Sequence, residues 1–319
     1  MLIDFEAHYA LDDTFNLRNL AIKDNADEVS GTGAPAGPLE DISLSRIDRR
    51  LAAMDELGID MQILSHSAGV ESLEPQFALK IAQKVNNALY ELTERYPGRF
   101  MGWAALPMRC PQEAAAELER CIRELGFFGW NVYSNFGIPQ RLDDAMFAPV
   151  LETADRLAVP CYIHPPAPNM AEYQGGPPAL WGGLGYTADA LLTVIRMQLA
   201  GVYDRYPHIR FMLGHLGETL PFMMKRMSQD PGKVSGLSQH TIDWYMRHNF
   251  FVTTSGNYEE ASLRCTLDVL GAERVLYGSD FPMEKAAEGV QFIRSAPITR
   301  EERDAICFGN AAREFGLGR

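Results

Sequence analysis

Two residues near the amino terminus, Glu6 and His8, are of types that bind divalent metal ions. They are separated by one residue in the stretch Leu2-Ile3-Asp4-Phe5-Glu6-Ala7-His8. In an extended strand the side chains at i and i+2 point the same way, so the carboxylate and the imidazole leave one face about 7 Å apart. That is half of a site for Zn²⁺ or Mn²⁺, because a catalytic ion takes three or four protein ligands. Alone, an E-x-H more often marks a polar strand end, so the case depends on ligands brought from elsewhere.

The chain supplies candidates at the ends of other apolar stretches. His164 closes Val159-Pro160-Cys161-Tyr162-Ile163. His215 follows Ile209-Arg210-Phe211-Met212-Leu213 through Gly214, with Glu218 three residues on, and Asp280 follows Val275-Leu276-Tyr277 through Gly278-Ser279. Each has a plainer reading: a lone histidine at a strand end is usually hydrogen-bonded within its loop, and an Asp after Gly-Ser is as readily a helix N-cap. Their recurrence at strand ends points instead to a metal site with acid–base groups beside it. His208, His240 and His248 fall beside Pro207 or in helical, charged surroundings, which reads as surface or structural. His66 ends a strand and is open between pocket lining and loop packing.

Elements that would bring these groups together repeat along the chain. Strands are expected at 2–8, 61–65, 100–105, 127–131, 160–164, 209–213, 250–253 and 275–277. Helices are expected from Ser43 or Ser45 to Gly58, then over 75–96, 111–125, 144–157, 187–203, 217–228, 259–270 and 284–294. Strands alternating with helices imply a parallel sheet, since the helix supplies the crossover. Eight such units in 319 residues favour a closed (β/α)8 TIM-type barrel in one domain spanning residues 1–319, and no G-x-G-x-x-G follows the first strand to suggest an open sheet. Active sites of such barrels lie at the carboxyl ends of the strands, where all the groups named above fall. The long polar connection 11–42, with Gly31-Thr32-Gly33-Ala34-Pro35-Ala36-Gly37-Pro38 within it, is a candidate lid loop or a solvated surface insertion.

Composition excludes other classes. With 46% hydrophobic and 22% charged residues the chain has material for a full core. A net charge of −13 argues against a nucleic-acid surface, though an ion and an arginine can reverse the field in a pocket that takes an anion. Five scattered cysteines, Cys110, Cys121, Cys161, Cys265 and Cys307, fit a reduced, cytoplasmic setting. No stretch approaches the about 20 apolar residues of a membrane span, and the chain starts without a basic signal segment.

Taken together, the opening E-x-H, Met54-Asp55-Glu56-Leu57-Gly58-Ile59-Asp60, Ile163-His164-Pro165-Pro166, Leu213-Gly214-His215-Leu216-Gly217-Glu218, Thr253-Thr254-Ser255-Gly256, Gly278-Ser279-Asp280-Phe281-Pro282 and Gly309-Asn310-Ala311 resemble the amidohydrolase superfamily over nearly the whole chain. The resemblance is to the subgroup of aminocarboxymuconate semialdehyde decarboxylase and the ortho-hydroxybenzoate decarboxylases; Glu6 in place of a first histidine, with His8 retained, is most similar to the γ-resorcylate type. It implies one divalent ion, Mn²⁺ or Zn²⁺ with Mg²⁺ as an alternative, held by Glu6, His8, His164 and Asp280. His215 and Glu218 would be catalytic partners, with Arg226 in the place of a substrate-contacting arginine, and the assembly a homodimer or homotetramer. Lys225 stands where that family more often has an aromatic residue, and Ser228-Gln229 where it has Asp-His.

The groups suit a non-oxidative decarboxylation that is reversible in principle. Direct loss of CO₂ from a small aromatic carboxylate would leave a high-energy aryl anion, whereas protonating the ring carbon first avoids it. Asp280 is the candidate acid if it is protonated when substrate is bound, and no organic cofactor is needed. The alternatives are metal-dependent hydrolysis of a lactone or amide, and a non-catalytic barrel with a structural ion.

Overall fold

The structure is a computed structural model and describes residues 1–12, 43–67, 69–166, 180–228 and 236–318. Eight strands follow one another around one sheet in sequence order, each parallel to the next: β1 (Ile3–Tyr9), β2 (Met61–His66), β3 (Phe100–Ala104), β4 (Gly129–Tyr133), β5 (Cys161–His164), β6 (Phe211–Leu213), β7 (Phe250–Thr253) and β8 (Val275–Leu276). The principal helices between and after them are α1 (Ile47–Leu57), α2 (Pro75–Arg95), α3 (Pro111–Arg123), α4 (Ala148–Leu157), α5 (Tyr186–Leu199), α6 (Leu220–Met227), α7 (Glu260–Leu270) and α8 (Ala286–Ser295). The ring closes between β8 and β1 through backbone bonds: Phe5 N–H donates to the Tyr277 carbonyl at 2.9 Å, Asp280 N–H to that of Glu6 at 2.7 Å, and His8 N–H to that of Phe281 at 2.8 Å. The fold is the expected (β/α)8 barrel, and its seam runs beside Glu6, His8 and Asp280.

Local chemistry explains the boundaries. Ser43 caps a short 3-10 turn, Leu44–Arg46, that runs into α1, and Gly58 ends α1 in the left-handed conformation. Proline opens α2 and α3, where its missing N–H costs nothing. The fourth strand lies two residues later than its apolar run suggests, because Phe127 and Phe128 pack as the approach to it. The helix expected over 187–203 is broken into α5 and a short helix at Val202–Arg205, while short helices at Ile242–His248, Arg300–Asp304 and Asn310–Phe315 have no counterpart in the sequence reading, being too short for periodicity to show.

The interior has two parts. Ile3, Phe5, Met61, Ile63, Trp103, Phe128, Tyr162, Met212, Phe251 and Leu276 fill the barrel, and Phe315 from the last helix packs against Phe5, Phe128 and Phe251. The barrel is therefore a packed core with its chemistry confined to one rim. The second cluster lies between strands and helices, with Ala7, Leu64, Val132, Leu213 and Val275 facing outward. Both ends of the 11–42 connection meet at this rim, where Ala10 bridges to Ser43 and Ser43 Oγ donates to Asp12. Of the candidate lid, residues 11–42, all but the first two lie outside the described residues.

Candidate metal centre and active site

β1 departs from ideal alternation at the place that matters. Its pairing with β2 shifts by one residue between Asp4 and Ala7, from Asp4↔Gln62 to Ala7↔Leu64. One extra residue in a strand changes which face its neighbours occupy. Phe5 stays in the barrel core, Glu6 and His8 turn into the rim above it, and Asp4 points away toward Gln62. The i, i+2 relation of Glu6 and His8 therefore holds.

Four ligand atoms, one each from Glu6, His8, His164 and Asp280, lie within 4.8 Å of one another. His8 Nε2 is 3.0 Å from Asp280 Oδ1, and its Nδ1 is 2.8 Å from Ser65 Oγ. His164 donates from Nδ1 to the Pro165 carbonyl at 3.0 Å, since a carbonyl can only accept; this leaves Nε2 turned to Glu6 Oε1 at 3.5 Å and Asp280 Oδ1 at 3.9 Å. Glu6 Oε2 accepts from Thr253 Oγ1 at 2.7 Å. Two atoms of the quartet, Glu6 Oε1 and His164 Nε2, are buried with no hydrogen-bond partner. Buried polar atoms are seldom left so, and a cation between them would satisfy both. Two carboxylates and two imidazoles with outer hydrogen bonds already made are a donor set that fits a divalent ion.

His215 adjoins the quartet, its Nε2 3.6 Å from Asp280 Oδ2 and 4.0 Å from Glu6 Oε1. Its Nδ1 lies 2.8 Å from Glu218 Oε1, and Glu218 Oε2 accepts from Thr187 Oγ1 of α5 at 2.7 Å. The segment from His215 to Glu218 is a left-handed turn, with φ of 53°, 58°, 80° and 58° in order. Three of these residues are not glycine, and Asp280 also has a positive φ of 54°. Such backbone is uncommon and is kept where surrounding contacts fix it, typically at active sites. Close approach is built in as well: a Cβ on Gly214 would stand 2.9 Å from the Tyr162 hydroxyl and 3.2 Å from Glu6 Oε1.

The electrostatics follow from this crowding. Burial by itself would raise Asp280, yet the imidazoles of His164, His215 and His8 around it hold its carboxyl well below the usual range. Burial would lower His164, but Asp280 and Glu6 beside it push it up to about 9. His215, likewise opposed by burial, is pushed well up by Glu218 and Asp280. The site thus favours ionised Glu6 and Asp280 with protons on His164 and His215, while burial pushes His8 down toward its neutral, metal-binding form.

All six strand-end groups singled out from the sequence converge here. The helix N-cap reading of Asp280 falls away, because α8 begins at Ala286 with Lys285 as its cap residue. His66 has the parity of Gln62 and Leu64, is buried, and packs edge-on against Tyr9, 5.3 Å between ring centres, on the side of β2 away from the quartet's strand face. Arg226 sits in the last turn of α6, exposed and without a hydrogen bond or ion pair among the described residues; Gln229 lies outside those residues. Of the surface histidines, His208 binds Asp155, while His240 and His248 stack on Trp244. Sequence reasoning did not reach the supporting hydroxyls of Ser65, Thr187, Thr253 and Ser255. Thr253 and Ser255 lie in the Thr253-Thr254-Ser255-Gly256 motif, whereas Thr187 carries no local signal.

Comparison with known proteins places the chain among relatives. A family model described as amidohydrolase matches residues 3–317. The γ-resorcylate decarboxylase of Rhodococcus jostii is 34% identical over 335 residues, covering 99% of each chain. The crystal structure of a 2,6-dihydroxybenzoate decarboxylase complexed with 2,6-dihydroxybenzoate has a TM-score of 0.87 at 28% identity, over 100% of this chain and 99% of that one. A dihydroxybenzoic acid decarboxylase from a Polaromonas species, with bound manganese and the inhibitor 2-nitroresorcinol, has a TM-score of 0.84 at 30% identity, over 100% and 97%.

Proposed function

The chain belongs to the amidohydrolase family, and from that premise we propose that it is a metal-dependent, non-oxidative decarboxylase of an ortho-hydroxybenzoate-type aromatic acid. The observation that carries this reading is the quartet of Glu6, His8, His164 and Asp280, with Glu6 Oε1 and His164 Nε2 buried and unsatisfied at its centre. A divalent ion bound there, Mn²⁺ or Zn²⁺ with Mg²⁺ as an alternative, supplies a Lewis acid for the carboxylate and adjacent phenolic oxygen of the substrate.

The chain's own residues account for the proton. Asp280 is the acid that protonates the ring carbon bearing the carboxylate, and it is ionised in the free site. Its proton therefore arrives with substrate or from His215, 3.6 Å away, which Glu218 keeps charged and in one orientation. Protonation gives a dearomatised ring with a carbonyl-like oxygen, and cleavage of the C–C bond releases CO₂ and returns the electron pair to the ring. No hydride moves and no organic electron sink is required. Arg226, whose guanidinium has no carboxylate partner among the described residues, is assigned to the carboxylate or a second hydroxyl of the substrate.

Hydrolysis of a lactone or amide is not favoured, because full-length relatives are named for decarboxylation. A closed structural ion would not require His215 and Glu218 beside it. We assign the chain one barrel domain, a cytoplasmic setting supported by five unpaired cysteines, and a homodimeric or homotetrameric assembly supported by exposed apolar side chains such as Phe222 and Leu184. No helix among the described residues is long and apolar enough to cross a membrane.

The deciding experiment is incubation with ortho- and para-hydroxylated benzoates after Mn²⁺ or Zn²⁺ is restored, following CO₂ release and product by chromatography. Loss of CO₂ from 2,6- or 2,3-dihydroxybenzoate, stopped by a chelator, is expected. Inertness toward every benzoate with turnover of a lactone or amide would replace this reading by hydrolysis.

A further inference from the structure

Asp4 is fully buried, stands two residues before Glu6, and is turned out of the quartet by the bulge in β1. Every hydrogen bond found for its carboxylate comes from a donor: Glu6 N–H at 3.2 Å, Ser279 N–H at 2.9 Å, Ser279 Oγ at 2.6 Å and Gln62 Nε2 at 2.9 Å. Gln62 is held in turn by Arg50 Nη1 at 3.1 Å. Nη2 of the same arginine donates to the His8 carbonyl at 2.5 Å, and its guanidinium lies 5.0 Å over the Phe281 ring. One carboxylate thus grips the backbone next to Glu6 and next to Asp280, and the arginine behind it grips His8.

We propose that Asp4 is a positioning residue for the metal centre, setting the separation of Glu6 from Asp280 and through it the affinity of the quartet for its ion. The proposal rests on the metal-dependent reading above. Glu6 and Asp280 come from the first and last strands, so no local sequence holds them together. Besides the backbone bonds of the seam, the contacts nearest the two ligands are Asp280 N–H to the Glu6 carbonyl, Ser279 Oγ to the same carbonyl at 3.3 Å, and the three bonds that join Asp4 to Ser279 and Glu6. Asp280 sits in left-handed backbone that a non-glycine residue keeps only when its neighbours fix it, and Ser279 is the neighbour Asp4 fixes. Only a group that accepts at every position satisfies these donors; the amide of an asparagine would turn an N–H toward at least one of them.

The test uses the full-length protein stripped of metal. Mn²⁺ binding is measured by competition with a chromogenic chelator for wild type, Asp4→Asn and Ser279→Ala, with circular dichroism to confirm folding and kcat and KM at saturating Mn²⁺. Asp4→Asn is expected to bind Mn²⁺ about 10- to 100-fold more weakly, and at saturating metal to lose kcat with little change in KM. Ser279→Ala, which removes one donor of the four, is expected to weaken binding about threefold or more. A folded Asp4→Asn with wild-type Mn²⁺ affinity overturns the proposal. If Asp4→Asn does not fold, Ser279→Ala decides: weakened binding supports the proposal and unchanged binding overturns it. Because affinity is read without turnover, a wild type that binds Mn²⁺ but decarboxylates nothing breaks the decarboxylase reading while the comparison still judges Asp4.

Discussion

Asp280 is asked to do two things in the proposed reaction, to hold the ion and to deliver a proton to carbon, and its surroundings show how one carboxylate can serve both. His8 lies 3.0 Å from Oδ1 and His215 3.6 Å from Oδ2, so its two oxygens face different partners. Removing its charge and its capacity to carry the proton should remove the reaction. Asp280→Asn is expected to lower kcat by about 10³-fold or more, with the circular dichroism spectrum unchanged; turnover within a few fold of wild type would take the acid role away from it. The residues behind it repeat the same logic. Thr187 fixes Glu218, Glu218 fixes His215, and Thr253 fixes Glu6, so each reactive side chain has an outer hydrogen bond that leaves its working atom free.

At the scale of elements, the rim is held by the ends of strands and the first turns of helices. Helix α5 is the clearest case, because it carries Thr187 and is pinned two residues later. Asp189, fully buried, pairs with Arg141 at 2.6 Å and also accepts from Ser134 and Asn135 at the end of β4. Arg141 further donates to the Ser134 carbonyl and to Thr193. Buried pairs of this kind contribute little over apolar packing, but breaking one strands the other charge. Arg141→Leu is therefore expected to destabilise the protein by about 3–5 kcal/mol in denaturant unfolding. A loss under about 1 kcal/mol would mean that Asp189 finds water or another partner. The left-handed turn after β6 is a second such device: it reverses the chain within four residues, so that His215 faces the quartet and Glu218 faces His215.

For the molecule as a whole, barrel closure and site assembly are one event. The backbone bonds that join β8 to β1 are the bonds that bring Asp280 to Glu6 and His8. An ion that binds the closed barrel and not the unfolded chain must stabilise it by linkage, by about 2.7 kcal/mol at a free concentration 100 times its Kd. Restoring Mn²⁺ to the stripped protein is thus expected to raise the denaturant midpoint by an amount that grows with metal concentration, and a chelator to reverse it. A midpoint indifferent to Mn²⁺ and Zn²⁺ would show that the quartet holds neither.

The strand-and-helix alternation, and with it the barrel, was legible in the sequence because both periods are written in neighbouring residues. So was the position of every reactive group at a strand end, since a parallel barrel sends all those ends to one rim. The resemblance carried by Glu6, His8 and the Gly-Ser-Asp segment extended that reading to a ligand set. What the chain order does not encode is contact between distant residues. Asp4 and Ser279 are 275 positions apart, and Thr253 and Glu6 are 247 apart. The one-residue bulge that turns Asp4 outward depends on how β1 pairs with β2, and ideal alternation would have placed Asp4 on the face of Glu6. His66 was undecided for the same reason, because its side follows from register with Tyr9. Residue types and spacing determined which groups meet; register and closure, which exist only once distant strands pair, decided how far apart they stand and which atoms are left free for the ion.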